Sequence, residues 1–181
     1  MQSLPPFLDL SNGILKGEGV VSSTRHFADV RSIFENPHQA TNLNDQSPIY
    51  TTHGLLDTGL PELLYATTII EAGQVAGEYF MTRGHFHTNP ERGEFNVTLS
   101  GKGAIVLMDR DRNTSVEWMT QGSIHNLDGL RAHRVVNVGN EPLIFLCVWM
   151  SDCGHDYESI AQDGFSGRLK CIEGKPTLVS A

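Results

Sequence analysis

The sequence predicts an all-β chain closed into a sandwich or barrel, and two observations carry that expectation. From about Ile49 onward, short apolar and β-branched runs follow one another with Gly, Asn and Asp between them, the pattern of many short strands joined by turns. The 181 residues also show no internal repeat, coiled coil or low-complexity segment, so one domain, or one domain with an extension, accounts for the length.

Taken in order, Leu4-Pro5-Pro6-Phe7 and Ser11-Asn12-Gly13 are turn material around an extended N-terminal arm. Ser23-Thr24 reads as the cap of a short helix, in which Phe27, Val30 and Phe34 recur at helical spacing before Asn36-Pro37 ends it. Thr41 to Pro48 is a polar connection. Residues 1–47 are therefore expected as an arm with a short helix, packed on the barrel or on a partner chain, and residues 48–181 as the barrel domain. Leu63-Leu64-Tyr65-Ala66-Thr67-Thr68-Ile69-Ile70 reads as a strand ended by Glu71-Ala72-Gly73. Ser100-Gly101-Lys102-Gly103 is a hairpin turn into Ala104 to Met108, Asp109 to Thr114 the next turn, and Val116 to Met119 the next strand. Arg131 to Asn137 adds another short strand, and Leu143 to Trp149 is an apolar run around Cys147. Glu158 to Gln162 suggests a short helix that His155-Asp156-Tyr157 would cap.

A formal charge of −8 and a pI near 5.4 argue against a nucleic-acid or anionic-membrane role, since both need a basic surface. They leave room for an anionic small substrate, which a few local cations decide. Cys147, Cys153 and Cys171 are odd in number, lack C-x-x-C spacing, and read as inert buried thiols. No signal-peptide pattern and no apolar run of spanning length is visible, so a reducing cytoplasmic setting is expected.

Chemistry concentrates in Gly84-His85-Phe86-His87-Thr88-Asn89-Pro90-Glu91-Arg92-Gly93-Glu94. Strand alternation would aim His85 and His87 the same way. After a turn at Asn89-Pro90, Glu94 opens a new β-like run, and a hairpin would return its carboxylate to the imidazoles. His133 offers a third imidazole from another short strand. Three neutral imidazoles and one carboxylate suit a first-row divalent ion and leave positions open for water or substrate. Arg83, Arg92 and Arg134 read as solvated or salt-bridged surface charges.

These residues resemble a family. His85-x-His87, the later Glu94 and then six residues to Gly101 resemble the first cupin motif, and His133 with Asn137 four positions on resembles the end of the second. The gap of six residues between His87 and Glu94 is longer than in most cupins. Together with Thr67-Thr68, Thr82-Arg83-Gly84, Ala132-His133-Arg134, Pro142 to Leu146, Gly154-His155-Asp156-Tyr157 and Gly164-Phe165-Ser166, it resembles the cupin-type (archaeal-type) glucose-6-phosphate isomerases over roughly residues 48 to 170. Asp128 and Leu130 depart from the broad cupin pattern, where Pro and Gly are usual.

The resemblance implies a cupin β-barrel (a double-stranded β-helix or jelly roll) with an N-terminal arm and a few short helices. It implies that His85, His87, Glu94 and His133 hold one divalent ion, iron(II) first, with manganese, nickel or zinc also compatible. The substrate would be a phosphorylated hexose, glucose 6-phosphate interconverting with fructose 6-phosphate, and the working form a homodimer. Thr68, Thr82 and Gly84 match positions lining the phosphate pocket, and His155 and Tyr157 further substrate contacts. Asn96 and Trp149 stand where relatives tend to carry tyrosines beside the sugar, with Tyr50 and His53 near another such stretch. Glu94 and His155 are the candidate bases, with hydroxide on the ion as a third. A dioxygenase of the acireductone kind shares the ligand set, and a non-catalytic sugar-binding cupin is the third class; the long gap and the 154–157 string favour the isomerase.

Overall fold

A computed structural model describes residues 5–56 and 63–181. Its strands, in chain order, are β1 (Phe7–Asp9), β2 (Ile14–Lys16), β3 (Val21–His26), β4 (Pro48–Leu55), β5 (Leu63–Ile70), β6 (Gln74–Val75), β7 (Glu78–Tyr79), β8 (Glu94–Ser100), β9 (Lys102–Met108), β10 (Thr114–Thr120), β11 (Ile124–Leu127), β12 (Ala132–Asn137), β13 (Leu143–Met150), β14 (Gly167–Ile172) and β15 (Lys175–Ser180). The only α-helix among the described residues is α1 (Phe27–Val30), one turn long. The fold is the all-β cupin barrel that the resemblance implied.

A six-stranded antiparallel sheet in the order β11-β8-β13-β5-β4-β3 forms one wall. Strands β10-β9-β12 form the other, extended by bridges from Met81 to Val136 and from His85 to His133. Strands β15-β14-β7-β6 close one end, and β1 pairs with β2. The apolar run in β13 alternates as a half-buried strand should, with Leu143, Phe145, Cys147 and Trp149 inward. Register then fixes which side chains share the interior. Trp149 lies opposite Glu94 and Leu64, Cys147 opposite Asn96 and Ala66, and Phe145 opposite Thr98 and Thr68. Ile70, Ile105, Leu107, Leu143 and Phe165 are fully buried among them, and each such side chain contributes on the order of 1.5–3 kcal/mol through removal from water.

The helix start differs from expectation. Ser23 and Thr24 belong to β3, because pairing with Thr52 and Thr51 of β4 satisfies their backbone groups. Helix α1 begins instead at Phe27, where Asp29 accepts the His26 N–H at 2.9 Å. Phe27, Val30 and Phe34 are buried, as their spacing requires, although the second turn tightens to a 3-10 helix over Arg31–Ile33. The Glu158 helix is likewise one 3-10 turn, Glu158–Ile160, and Asp156 caps it by accepting the Ser159 N–H at 3.0 Å. The arm docks on the barrel: Leu15 is buried, and the Thr67 hydroxyl donates to the Gly13 carbonyl at 2.6 Å. Leu4 lies outside the described residues.

Candidate metal centre and substrate cavity

The His85–His87 segment is extended but pairs only through isolated bridges, His85 with His133 and Phe86 with Asp156. Alternation operates as expected: Phe86 goes into the core while both imidazoles face the barrel interior. The expected hairpin with Glu94 does not form. Segment 85–87 lies against β12 in one wall, and Glu94 opens β8 in the facing wall, so the carboxylate approaches across the barrel.

The backbones of His85 and His133 exchange hydrogen bonds at 3.2 and 3.0 Å, which sets their rings 4.7 Å apart. Glu94 Oε2 stands 3.6 Å from His133 Nε2 and 3.9 Å from His87 Nε2. One ligand-type atom from each of His85, His87, Glu94 and His133 falls within 4.8 Å of the others. Ligand atoms at about 2.1 Å from a common ion stand about 3.0–4.2 Å apart, so the set needs little movement to close on one. The Nε2 atoms of all three histidines are buried with no hydrogen-bond partner. Three orphaned acceptors beside a carboxylate fit a divalent cation.

The long gap before Glu94 has a local use. It curls so that the Arg92 carbonyl accepts from His87 Nδ1 at 2.6 Å. A carbonyl can only accept, so Nδ1 carries the proton and Nε2 keeps its lone pair for an ion. On the other side, Asn96 Nδ2 donates to Glu94 Oε1 at 2.9 Å, leaving Oε2 for the histidine side. Burial first, and then the neighbouring imidazoles His133, His155 and His87, push His85 far below the usual histidine range. Burial also pushes His87 down, against the Arg92 carbonyl. For Glu94, burial acts upward, but His133 and Asn96 outweigh it and hold the carboxyl below its usual range.

A cavity of about 250 Å³ opens from this centre and is lined by His85, Glu94 and His133. Thr68, Thr82, Gly84, Trp149, His155 and Tyr157 line it too. His155 stacks on Tyr157 with ring centroids 6.0 Å apart and meets His85 edge-on at 4.4 Å. Asn96 is fully buried and does not line the cavity; it stands behind Glu94. Thr82 shares the cavity with the imidazoles through a bend at Gly84, whose φ is +76°. A Cβ there would lie 2.8 Å from the Phe165 ring and 3.0 Å from the His133 carbonyl, so only glycine fits.

Arg83 and Arg134 depart from the surface reading. Arg83 is exposed but lines the cavity, with its guanidinium 4.9 Å from the Tyr157 ring centre. Arg134 is buried, 4.0 Å over the Phe165 ring, because its strand faces the interior on both sides. Arg92 does pair on the surface, with Asp152 at 2.9 Å. Sequence reasoning also missed Arg25, which β3 delivers to the cavity beside Tyr50. Reading Ser23-Thr24 as the cap of the helix that carries Phe27, Val30 and Phe34 hid the alternation that puts Ser23 and Arg25 on one face. Burial raises the Tyr50 hydroxyl pKa, against the nearby Arg25.

The sequence model of the family described as Glucose-6-phosphate isomerase (GPI) matches residues 24–175. The glucose-6-phosphate isomerases of Thermococcus kodakarensis and Pyrococcus furiosus are each 34% identical to the chain, over 88% of its length and 84% and 85% of theirs. The putative glucose-6-phosphate isomerase 2 of Rhizobium meliloti is 30% identical over 87% of the chain and 80% of its own length. Among solved structures, the oxalate decarboxylase of Lactobacillus farciminis is similar over 60% of this chain and 30% of its own, with a TM-score of 0.48 and 19% identity.

Proposed function

The chain belongs to the glucose-6-phosphate isomerase family, and from that premise we propose that its cavity interconverts glucose 6-phosphate and fructose 6-phosphate on a divalent ion held by His85, His87, Glu94 and His133. The observation that carries the reading is the convergence of three unpartnered imidazole nitrogens and one carboxylate on a cavity that also holds threonines and two guanidinium groups. An N3O set of this kind suits iron(II), which the resemblance puts first, as well as manganese, nickel and zinc. When bound, the ion would stabilise negative charge developing on the sugar's oxygens.

The chain's own residues divide the remaining work. Thr68, Thr82 and the backbone at Gly84 are the phosphate contacts, with Arg25 and Arg83 adding positive charge at the cavity wall. Trp149 and Tyr157 flank the sugar, and Asn96 acts on Glu94 rather than on substrate. On the proton-transfer route, a base takes the C2 proton while O1 gains one, giving an enediol. The O2 proton then leaves, a proton returns to C1, and the ketose results without a co-reactant. His155 is the better base. Glu94 has one oxygen committed to Asn96 and the other turned to the histidines, whereas the His155 ring faces the cavity and burial lowers its pKa, keeping it neutral and able to accept.

Among the described residues, no helix is long and apolar enough to cross a membrane. Cys147, Cys153 and Cys171 are free thiols, which supports the reducing cytoplasm as the setting. A coupled assay for fructose 6-phosphate conversion, run with and without chelator, tests the function. Absence of turnover in metal-loaded protein refutes it.

A further inference from the structure

A second cavity, of about 140 Å³, lies behind the first. Arg83 and Tyr157 face both, but Arg134, Arg168 and residues 160–164 line only the second. Three arginines therefore meet around a space that the isomerisation does not use.

The charges there do not balance. Arg134 is 3% exposed, and among the described residues no carboxylate forms an ion pair with it. Its guanidinium sits over the Phe165 ring and donates only to Met81 Sδ at 3.1 Å and the Arg83 carbonyl at 3.2 Å. Burial lowers its pKa to about 9, which leaves it charged at neutral pH. Arg168 pairs with Glu78 at 2.7 Å and donates to the Ile33 carbonyl at 3.0 Å. Glu78 is itself buried and also accepts the Glu35 N–H, so its carboxylate is occupied. Of the two guanidinium groups only Arg168 thus has a carboxylate partner, and the exposed Arg83 adds a further positive charge at the rim. Among the described residues, Asp163 is the one acidic residue lining the cavity, but it is exposed to water, which screens it.

Hydrogen bonding shows the same shortfall. The Nε atoms of Arg134 and Arg168 are both buried with no partner. Orphaned buried donors on an uncompensated charge are costly to a fold, and a bound ion satisfies both deficits at once. Planar N–H donors on arginine match the oxygens of a tetrahedral oxyanion.

We infer that this cavity is a second anion site, taking a small oxyanion of the phosphate or sulfate class between Arg134 and Arg168, separate from the place of the hexose phosphate group. Because Arg83 and Tyr157 form the shared wall, an ion bound there lies one side-chain layer from substrate.

Inorganic phosphate is the probe, titrated into the full-length, metal-loaded protein at ionic strength held constant with chloride. The titration is run with the first cavity empty and again with it saturated by a non-reactive phosphosugar acid. One equivalent per chain is expected to bind in the saturated protein by calorimetry, with Tm rising by about 3 °C or more at saturation. Ala161→Glu sets a carboxylate at the cavity wall from an exposed position, and should weaken phosphate binding at least tenfold while leaving isomerase turnover in phosphate-free buffer unchanged. Arg168→Gln should weaken it similarly, with a melting curve confirming the fold. The contrast between the unmodified protein and Ala161→Glu does not depend on the isomerase reading. No binding above the chloride control overturns the site. Equal affinity in Ala161→Glu also overturns it, by placing the ion elsewhere. Loss of the response once the phosphosugar acid is bound would identify the oxyanion as the sugar's own phosphate, and overturns it as a separate site.

Discussion

Asn96 Nδ2 donates to Glu94 Oε1 at 2.9 Å from a position with no exposed surface. The bond fixes the rotation of the carboxylate and turns Oε2 toward His133 and His87. Asn96→Ala should therefore weaken metal binding by about ten- to hundred-fold, the usual cost of losing a partner behind a ligand. Competition against a chelator of known affinity measures this. Unchanged affinity would show that Glu94 is held by packing alone.

Removing the metal should abolish isomerisation, and one divalent ion per chain should restore it. His85→Ala or His133→Ala should lower occupancy together with rate, since each supplies one of four protein ligands. Elemental analysis beside the coupled assay gives both numbers. Full activity in extensively chelated, metal-free protein would sink the reading.

The metal-free protein should lose stability in mild acid. His85 and His87 have folded-state pKa values lowered mainly by burial, so below about pH 6.5 the unfolded chain takes up protons that the folded chain refuses. Stability then rises with pH and is lost as pH falls, by up to about 1.4 kcal/mol per pH unit for each imidazole. The depressed Glu94 acts in the same direction at lower pH, because protonating it weakens its attraction to His133 and its hydrogen bond from Asn96. Thermal melts of the metal-free protein from pH 7 to 5 should show a falling Tm. A flat profile would mean that these imidazoles protonate freely in the folded chain.

The ligand set was legible because it depends on local spacing. His85 and His87 needed only the alternation of an extended segment, and Glu94 and His133 only a barrel to bring them close. Which wall each residue occupied was not legible, since pairing partners are set by long-range register. The hairpin expectation for Glu94 failed for that reason. Arg25 and Arg134 were missed for a related one. An arginine in a β-run gives no local sign of whether its face meets water, a cavity or a ring such as Phe165. Asn96 looked like a substrate contact because its position matches one in relatives; only the 2.9 Å bond to Glu94 shows what it touches here.

Thr82→Val should weaken binding of a non-reactive phosphosugar acid while the metal stays in place. Losing one hydrogen bond to a charged group costs about 1.5–3 kcal/mol, on the order of ten- to hundred-fold in affinity. The structure adds a second effect. Thr82 Oγ1 accepts the Val135 N–H at 3.0 Å, so valine also strands a backbone donor and should lower Tm. Calorimetry, metal analysis and a melt on one sample separate the effects. A lower Tm with unchanged affinity would leave Thr82 as a strand residue only.

The chain should work as a homodimer through its N-terminal arm. Strands β1 and β2 hold Leu15 against the barrel, yet the same hairpin leaves Phe7 66% and Leu10 76% exposed. Two large exposed apolar side chains on one short hairpin are more than a solvated arm requires. Next to the arm, β3 is, among the described residues, an edge strand of the six-stranded sheet, with Val21 52% exposed. A second copy would cover both features at once. Light scattering at assay concentration should give twice the chain mass of 19.9 kDa. The double variant Phe7→Ser and Leu10→Ser should shift the population toward monomer without unfolding the barrel, because neither side chain belongs to the buried core. A single 19.9 kDa species for the unmodified chain would rule the dimer out.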